Sequence, residues 1–277
     1  MAIIWVGTGR FNAYIGPVQD YIDRVVAADV AAGNTLGLEV GVRDAYDVFI
    51  RDSINVGDLG TSGGVLSQAN SIIKAAPIMA GARTLAGALV PLVGAAPTNF
   101  NFVSEDYNRK TGLVGNGSTK YLNSNRSSAN EMLNNAHLSS FASTHGSAQG
   151  GYIGLFNAPT TTVSLVGLGS SQSSRFYLQS TAQIILAVPQ NSTLLGISRS
   201  TAGQSNTIVN NQTATQANTS TNTTPLNYFI FAYNNNGSPG FYTNARLAFY
   251  SIGESLNLTL LDARVTTLIN AFGAAIT

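Results

Sequence analysis

The chain has 277 residues, 44 % of them hydrophobic, with a net charge of +1 and no cysteine. This length permits one large or two modest domains with a packed core. The missing cysteine excludes disulfides, thiolate metal sites and cysteine nucleophiles, and the balanced charge offers no general field for attracting nucleic acid. Only 10 % of the residues are charged, against about 25 % in ordinary domains.

The shortage of charge is uneven along the chain. Residues 1–120 include 9 basic and 10 acidic side chains, whereas residues 121–277 include 5 and 3. The second half covers its surface with Asn, Ser, Thr, Gln and Gly instead. Such a surface is typical of β-rich extracellular or virion proteins, because their turns and sheet edges use small uncharged polar groups.

The first ten residues have no basic head followed by an apolar run, so no secretory signal is predicted and synthesis in the cytoplasm is expected. The apolar residues Ile3, Ile4 and Trp5 have two interpretations. They could form a short strand packed against the body of the protein. Alternatively, they form an anchoring arm that docks on a neighbouring subunit.

Helical periodicity dominates the residues that follow. A first helix is predicted from Pro17 to about Gly33 and a second over residues 39–54, each with an apolar stripe on one face. A third helical segment is predicted over residues 65–76. The Ala- and Gly-rich run behind it predicts either a short helix over residues 82–89 or a buried, irregular linker.

The period of the apolar residues changes from 3.6 to 2 at residues 95–98, and we place a domain boundary there. Residues 1–97 are predicted to form a helical attachment or oligomerisation region, and residues 98–277 a β-sandwich. No membrane insertion is expected, because the apolar stretch over residues 75–97 is broken by Arg83 and by three prolines.

From Asn99 onward, short alternating or apolar runs are separated by turn clusters, which is the pattern of a sandwich or jelly roll. The Gly-Asn-Gly-Ser turn at residues 115–118 is predicted to belong to a first hairpin. Residues 212–224 are predicted to be an exposed loop or a polar edge strand. The predicted strands are residues 99–103, 112–114, 120–122, 137–143, 151–156, 162–168, 174–179, 184–187, 193–199, 204–210, 227–234 and 243–252.

A helix over residues 256–273 is predicted to close the chain. Thr259 and Asp262 make an approximate capping box at its start, and Gly273 is placed just after its end.

Two histidines, His137 and His145, are the only imidazoles in the chain. His137 is predicted to be a structural hydrogen-bonding group on a strand. No zinc or calcium site is predicted, because the sequence around the histidines and in the sandwich supplies too few carboxylates.

Three segments resemble a module of tailed-bacteriophage virion proteins, the tail fibres and other surface appendages. These segments are NGSTKYLNSN (116–125), NNAHLSSFAST (134–144) and ARLAFYSIGESLNLTLLDARVTTLINAFG (245–273). In that family a short helical lead-in precedes a concanavalin-like jelly-roll sandwich, which ends in a Tyr-Ser-x-Gly-like turn and a helix. Here residues 250–253 match that turn and residues 137–139 match its His-Leu-Ser strand start. The resemblance spans residues 45–273.

The resemblance implies a non-enzymatic structural protein on the virion surface, assembled as a homotrimer, with other virion proteins as partners and with no cofactor. Two functions compete: a tail fibre or adhesin that binds host envelope glycans through sandwich loops, or a capsid decoration protein that stabilises the shell. A glycan depolymerase is a third class. Its candidate carboxylates are Glu105, Asp106, Glu131 and Glu254, but no spacing fixes a pair at catalytic separation.

The residues predicted to contact a ligand or partner lie in the segment 229–242. They are Tyr233, Asn235, Asn236, Phe241 and Tyr242. Flat aromatic faces beside amide groups suit sugar recognition or a protein interface. The alternative is that these aromatic rings are core residues of two hairpin strands.

Overall fold

A computed structural model describes residues 14–160, 162–169, 171, 173–187, 189 and 192–277. The anchoring residues Ile3, Ile4 and Trp5 therefore lie outside the described residues. The protein is mainly β, with 40 % strand and 25 % helix, so the predicted fold class is confirmed. Two largely antiparallel sheets form a sandwich, and a C-terminal helix closes the chain.

The helices are α1 (Gly16–Ala31), α2 (Val40–Asn55), α3 (Leu85–Ala88) and α4 (Leu258–Ala275). The strands are β1 (Gly60–Ser62), β2 (Val65–Ser67), β3 (Ile73–Pro77), β4 (Pro91–Val93), β5 (Thr98–Phe100), β6 (Tyr107–Asn108), β7 (Gly112–Val114), β8 (Tyr121–Ser127), β9 (Ala136–Thr144), β10 (Gly150–Asn157), β11 (Thr162–Leu168), β12 (Ser174–Ser180), β13 (Ile184–Leu186), β14 (Thr193–Arg199), β15 (Gln204–Val209), β16 (Gln212–Ala217), β17 (Asn227–Ile230), β18 (Tyr233–Asn235), β19 (Ser238–Gly240) and β20 (Arg246–Gly253).

Helices α1 and α2 form where the periodicity predicts them. Proline in the first turn of α1 fits a helix start, since its missing N–H has no partner there in any case. The apolar stripes are buried, with Tyr21 and Tyr46 fully inside and their rings edge to face at 5.2 Å. No helix among the described residues is long and apolar enough to cross a membrane.

The two sheets differ in what covers them. One sheet, here the covered sheet, has the strand order β16-β15-β14-β9-β20-β3-β4, and α1, α2 and α4 form with it a core that includes Phe49, Phe249 and Phe272. The other, here the open sheet, has the order β13-β12-β11-β10-β17-β8-β5, with β18 beside β10. A second core that includes Leu138 and Phe176 joins the two sheets. The helices therefore leave the outer face of the open sheet uncovered.

The two strands predicted on either side of the turn at residues 115–118 do pair, as β5 and β8, but β6 and β7 lie between them in sequence, so the turn does not close a two-strand hairpin. Strand β7 pairs with β20 in the covered sheet, whereas β8 pairs with β5 and β17 in the open sheet. The side-chain oxygen of Asn116 accepts hydrogen bonds from the backbone N–H groups of Thr119 (2.9 Å) and Lys120 (3.1 Å). This Asx turn lies where the chain passes from the covered sheet to the open sheet. The sequence does not predict this crossing, because a local turn signal does not specify which strands pair on either side of it.

The predicted third helix over residues 65–76 is also wrong, because that segment contains β2 and β3. Ala75 lies opposite Ile252 of β20, and Ile73 is fully buried. Pairing with β20 therefore overrides the helical preference of this Ala-containing run. The domain boundary near residue 97 stays a prediction, although β3 and β4, which precede it, belong to the covered sheet.

Of the two alternatives for residues 82–89, the structure contains part of each. The short helix α3 occupies 85–88, and the side chains of Ile78, Met79 and Ala80 before it are fully buried in irregular backbone. The polar stretch that begins at residue 212 forms strand β16, which lies at the edge of the covered sheet. The edge-strand alternative is therefore confirmed for 212–217.

The ends of α4 differ from the prediction. The side-chain oxygen of Asn257 accepts from the backbone N–H groups of Thr259 (3.0 Å) and Leu260 (3.2 Å), so Asn257 is the N-cap and the predicted Thr259 capping box is wrong. The helix continues through Gly273 to Ala275. Its buried stripe, which includes Phe272, stabilises the last turn and outweighs the preference of glycine for a helix end.

Candidate functional site

The outer face of the open sheet is unusually apolar near β11 and β12. On β11, Val163 and Leu165 are half-exposed, whereas Ser164 between them is buried. The buried Ser164 hydroxyl accepts a hydrogen bond from the backbone N–H of Gln179 at 2.9 Å, so its polar group has a partner. On β12, Arg175 and Tyr177 are half-exposed, and Tyr177 lies directly opposite Leu165.

A cavity of about 230 Å³ opens on this face, and we call it the aromatic cleft. The segment after β17 supplies Tyr233 and Phe241, whose ring centroids are 5.0 Å apart at 56°. The lining residues are Leu155, Phe156, Val163, Leu165, Arg175, Tyr177, Tyr233 and Phe241. The cleft therefore combines four aromatic rings and aliphatic side chains with one guanidinium group.

Close backbone packing shapes the floor of the cleft. Gly154 lies opposite Leu165, and a Cβ at this glycine would lie 2.8 Å from Leu165 Cδ1 and 2.7 Å from the Ser164 carbonyl oxygen. A side chain at this position would therefore displace Leu165 from the cleft wall. The guanidinium of Arg175 lies beside Gly169, where a Cβ would collide with it.

Phe241 is held in an uncommon backbone conformation. Its φ is +47°, in the left-handed region that bulky residues rarely adopt. The Phe241 carbonyl accepts a hydrogen bond from the Gly151 N–H at 2.7 Å, which fixes this segment against β10. Phe241 is 48 % exposed, so the backbone is restrained while the ring faces solvent. Strained backbone that the surroundings hold in place is common at ligand sites.

The tyrosines of the cleft keep their protons at neutral pH. Burial raises the pKa of the Tyr233 hydroxyl, and burial also raises that of Tyr177, although the nearby Arg175 opposes the rise. Each hydroxyl can therefore donate as well as accept a hydrogen bond, and the Arg175 guanidinium is a donor. Such polar groups around apolar ring faces suit a ligand with one apolar face and several hydroxyls.

The structure brings two of the five predicted contact residues into the cleft, Tyr233 and Phe241. Tyr242 lies beyond it, with its ring 6.4 Å from that of Tyr121. Asn235 is exposed next to Phe156, which lies opposite it on β10. The side-chain oxygen of Asn236 accepts from the Ala158 N–H at 2.9 Å, so this residue holds a turn.

The core alternative applies to other aromatic residues of the same segment. Phe231 is fully buried between the sheets and Phe229 is 6 % exposed, whereas Tyr233 and Tyr242 are half-exposed.

Several cleft residues, among them Arg175 and Tyr177, were not predicted from the sequence. Both lie in a correctly predicted strand, but the strand pattern does not indicate which face is outside. On β11 a simple interpretation of the alternation would put Ser164 outside and Leu165 inside, which is the reverse of the structure. The available signal was Arg175 itself, because a charged residue marks the solvent side of a strand and places Tyr177, two residues later, on the same face.

No protein-family model and no curated protein matches this sequence. The chain is similar in structure to a Trypanosoma rangeli sialidase in complex with 2,3-difluoro-KDN, with a TM-score of 0.47 and 8 % identity, over 82 % of this chain and 39 % of that one. It is also similar to the K499G mutant of NanB sialidase from Streptococcus pneumoniae, with a TM-score of 0.41 and 10 % identity, over 53 % of this chain and 26 % of that one. A third similar structure is the CBM40 of Ruminococcus gnavus IT-sialidase bound to alpha2,3 sialyllactose, with a TM-score of 0.38 and 11 % identity, over 47 % of this chain and 80 % of that one.

The prediction that this protein is not an enzyme is corrected by these comparisons, because several of the similar structures are sialidases. The likeness is one of fold only, at 8–13 % identity. The chain spans 26 % of the length of NanB and 39 % of the Trypanosoma rangeli sialidase, so their activities are not transferred to it.

The four candidate carboxylates lie outside the aromatic cleft, and three of them form ion pairs. Glu131 contacts Arg126 at 2.5 Å with its side chain only 1 % exposed, and burial raises the pKa of its carboxyl. Glu254 contacts Lys74 at 2.9 Å, which lowers the pKa of that carboxyl. Asp106 pairs with Lys120, and Glu105 is exposed. The described residues contain no group of three or more acidic or histidine side chains that could hold a metal ion.

His137 of β9 is fully buried beside β20. Its Nδ1–H donates to the Glu254 carbonyl at 2.6 Å, so Nε2 accepts from the Ser251 hydroxyl at 2.8 Å. Burial lowers the pKa of His137 to about 4. The neutral ring therefore holds two strands together, as predicted for a structural histidine.

Proposed function

We propose that this protein binds a glycan in the aromatic cleft and acts as a surface adhesin. The observation that carries the proposal is the juxtaposition of Tyr177, Tyr233 and Phe241 with Arg175 on the uncovered face of the open sheet. An apolar ring face packs against the C–H face of a sugar ring, while the hydroxyl and guanidinium groups at the rim bind sugar hydroxyls.

The surface as a whole suits this function. The low content of charged residues favours a neutral, hydroxyl-rich ligand over nucleic acid. A cleft of this size buries little ligand surface, so a single site binds weakly. Several copies on one particle would raise the overall affinity through multivalency.

We propose further that the particle is the virion of a tailed phage. This proposal rests on the resemblance of residues 45–273 to virion appendage modules. Here the aromatic cleft favours a tail-fibre type of protein that contacts the host envelope. A capsid decoration protein would need its binding energy on the surface that meets the shell.

Replacing Phe241 by alanine is expected to weaken glycan binding at least about tenfold, because an exposed ring at the rim of the cleft is lost while the buried core is unchanged. The measurement is binding of purified wild-type and variant chains to an array of bacterial envelope polysaccharides. Tyr14→Ala is the matched control, since Tyr14 lies in the helical layer and bonds to Asp44. Equal binding by Phe241→Ala and wild type, or no bound polysaccharide at all, would contradict the proposal.

Deleting residues 2–13 separates the two virion roles. For a tail-fibre type protein we expect loss of attachment to the particle, with polysaccharide binding retained, because the cleft lies on the opposite layer from α1. Particle attachment is measured by co-sedimentation with virions, and binding by the same array. A shell that becomes heat-labile on deletion, with no polysaccharide bound by the full chain, would instead support the decoration role.

A further inference from the structure

A second cluster of aromatic rings lies on the open sheet, outside the cleft. Phe100 of β5 and Tyr121 of β8 are opposite each other, with parallel rings 4.4 Å apart at 3°. Tyr121 also contacts Phe229, at 4.8 Å between centroids. Phe100 is 37 % exposed and Tyr121 is half-exposed, so the stack presents apolar ring surface to solvent.

The register of the open sheet places this stack and the cleft on the same face. A single cross-strand row connects them, because each residue of the row lies opposite the next. The row runs Tyr177, Leu165, Gly154, Phe229, Asn123 and Thr98. Tyr121 is two residues from Asn123 on β8 and therefore faces the same way. Strands β12 and β8 are four positions apart, which is about 19 Å at ordinary strand spacing.

Two consecutive residues bridge the gap between the clusters. The ring of Phe241 contacts Tyr233 in the cleft, and the ring of Tyr242 lies 6.4 Å from Tyr121 in the stack. Gly154, in the middle of the row, carries no side chain, and the apolar side chain of Leu165 lies over it. The row that joins them is uncharged throughout. Phe100, Tyr121, Tyr242, Phe241, Tyr233 and Tyr177 thus form one continuous surface, which we call the aromatic track.

We propose that the ligand is an extended glycan chain that lies along the aromatic track, with one sugar in the cleft and further neutral sugars over Tyr242 and Tyr121. The cleft volume of about 230 Å³ is below the range of about 300–1,000 Å³ for pockets that enclose a whole small molecule. One ring fills it, and the rest of the ligand must lie outside. The track is continuous with the cleft and offers the next apolar surface. This inference rests on the proposed glycan-binding function.

The test uses fragments of one to eight sugars, prepared by partial hydrolysis of the polysaccharide that wild type binds on the array. Tyr121→Ala is expected to lower the affinity for eight-sugar fragments about tenfold and to leave that for single sugars within about twofold. Phe241→Ala is expected to weaken both. Isothermal titration calorimetry measures the affinities, and thermal unfolding confirms that each variant is folded.

Phe100→Ala provides a second variant, because Phe100 is on the edge strand β5 and its loss disturbs the core least. It is expected to act like Tyr121→Ala, whereas Tyr14→Ala leaves every fragment unchanged. Two results would overturn the proposal that the glycan lies along the aromatic track, while leaving the proposed site in the cleft. One is an equal wild-type affinity for single sugars and eight-sugar fragments, and the other is an equal effect of Tyr121→Ala on both affinities. Failure of wild type to bind any polysaccharide overturns the proposed function and the track together.

Discussion

Replacement of Phe249 by alanine is expected to lower the free energy of unfolding by about 3–5 kcal/mol. Phe249 lies on β20 with no exposed surface, and its ring meets that of Phe49 of α2 edge to face at 5.9 Å. The substitution removes one of the contacts that join the helical layer to the covered sheet and leaves a cavity there. Chemical denaturation of wild type and variant measures the change.

Val48→Ala is the matched control for this prediction. Val48 is also on α2 but is 49 % exposed, so its truncation is expected to cost no more than about 0.5 kcal/mol. A loss below about 1 kcal/mol for Phe249→Ala would show that the helices do not pack on the covered sheet as described.

Stability is expected to fall by about 3 kcal/mol as the pH is lowered from about 6.5 to about 4, through His137 alone. The pKa of His137 is about 4 in the folded protein, against 6.5 for an ordinary histidine. Between these values the unfolded chain binds a proton that the folded protein excludes, so acid favours unfolding. Above about pH 6.5 both states are neutral at this residue, and its contribution no longer changes.

The measurement is the free energy of unfolding of wild type minus that of His137→Asn, followed from pH 7 to pH 4. Asparagine retains a donor toward the Glu254 carbonyl but cannot titrate. The difference is needed because burial raises the carboxyl pKa of Asp58, Glu131 and Asp262, which act with the opposite sign. A difference that does not vary with pH would mean that His137 is accessible to protons.

The candidate site was predictable only in part. The composition of residues 229–242 predicted Tyr233 and Phe241 as contact residues, because flat aromatic faces beside amide groups suit sugar recognition, but the same composition left a core position for these rings as an equal alternative. Arg175 and Tyr177 complete the cleft from a strand more than fifty residues earlier. Nothing local to β12 indicates that β10 and β11 will bring it beside the segment after β17.

The sequence by itself determined that the second half of the chain forms short strands, that α1 and α2 precede them, and that α4 follows. These are consequences of the 2-residue and 3.6-residue periods, which act over a few neighbouring residues. Only the tertiary structure decided that β3 is a strand, that β7 and β8 belong to different sheets, and that Leu165 faces outward while Ser164 faces inward. The reason is that pairing across a sheet depends on distant partners such as β20, whose contribution exceeds the small intrinsic preferences of a local segment.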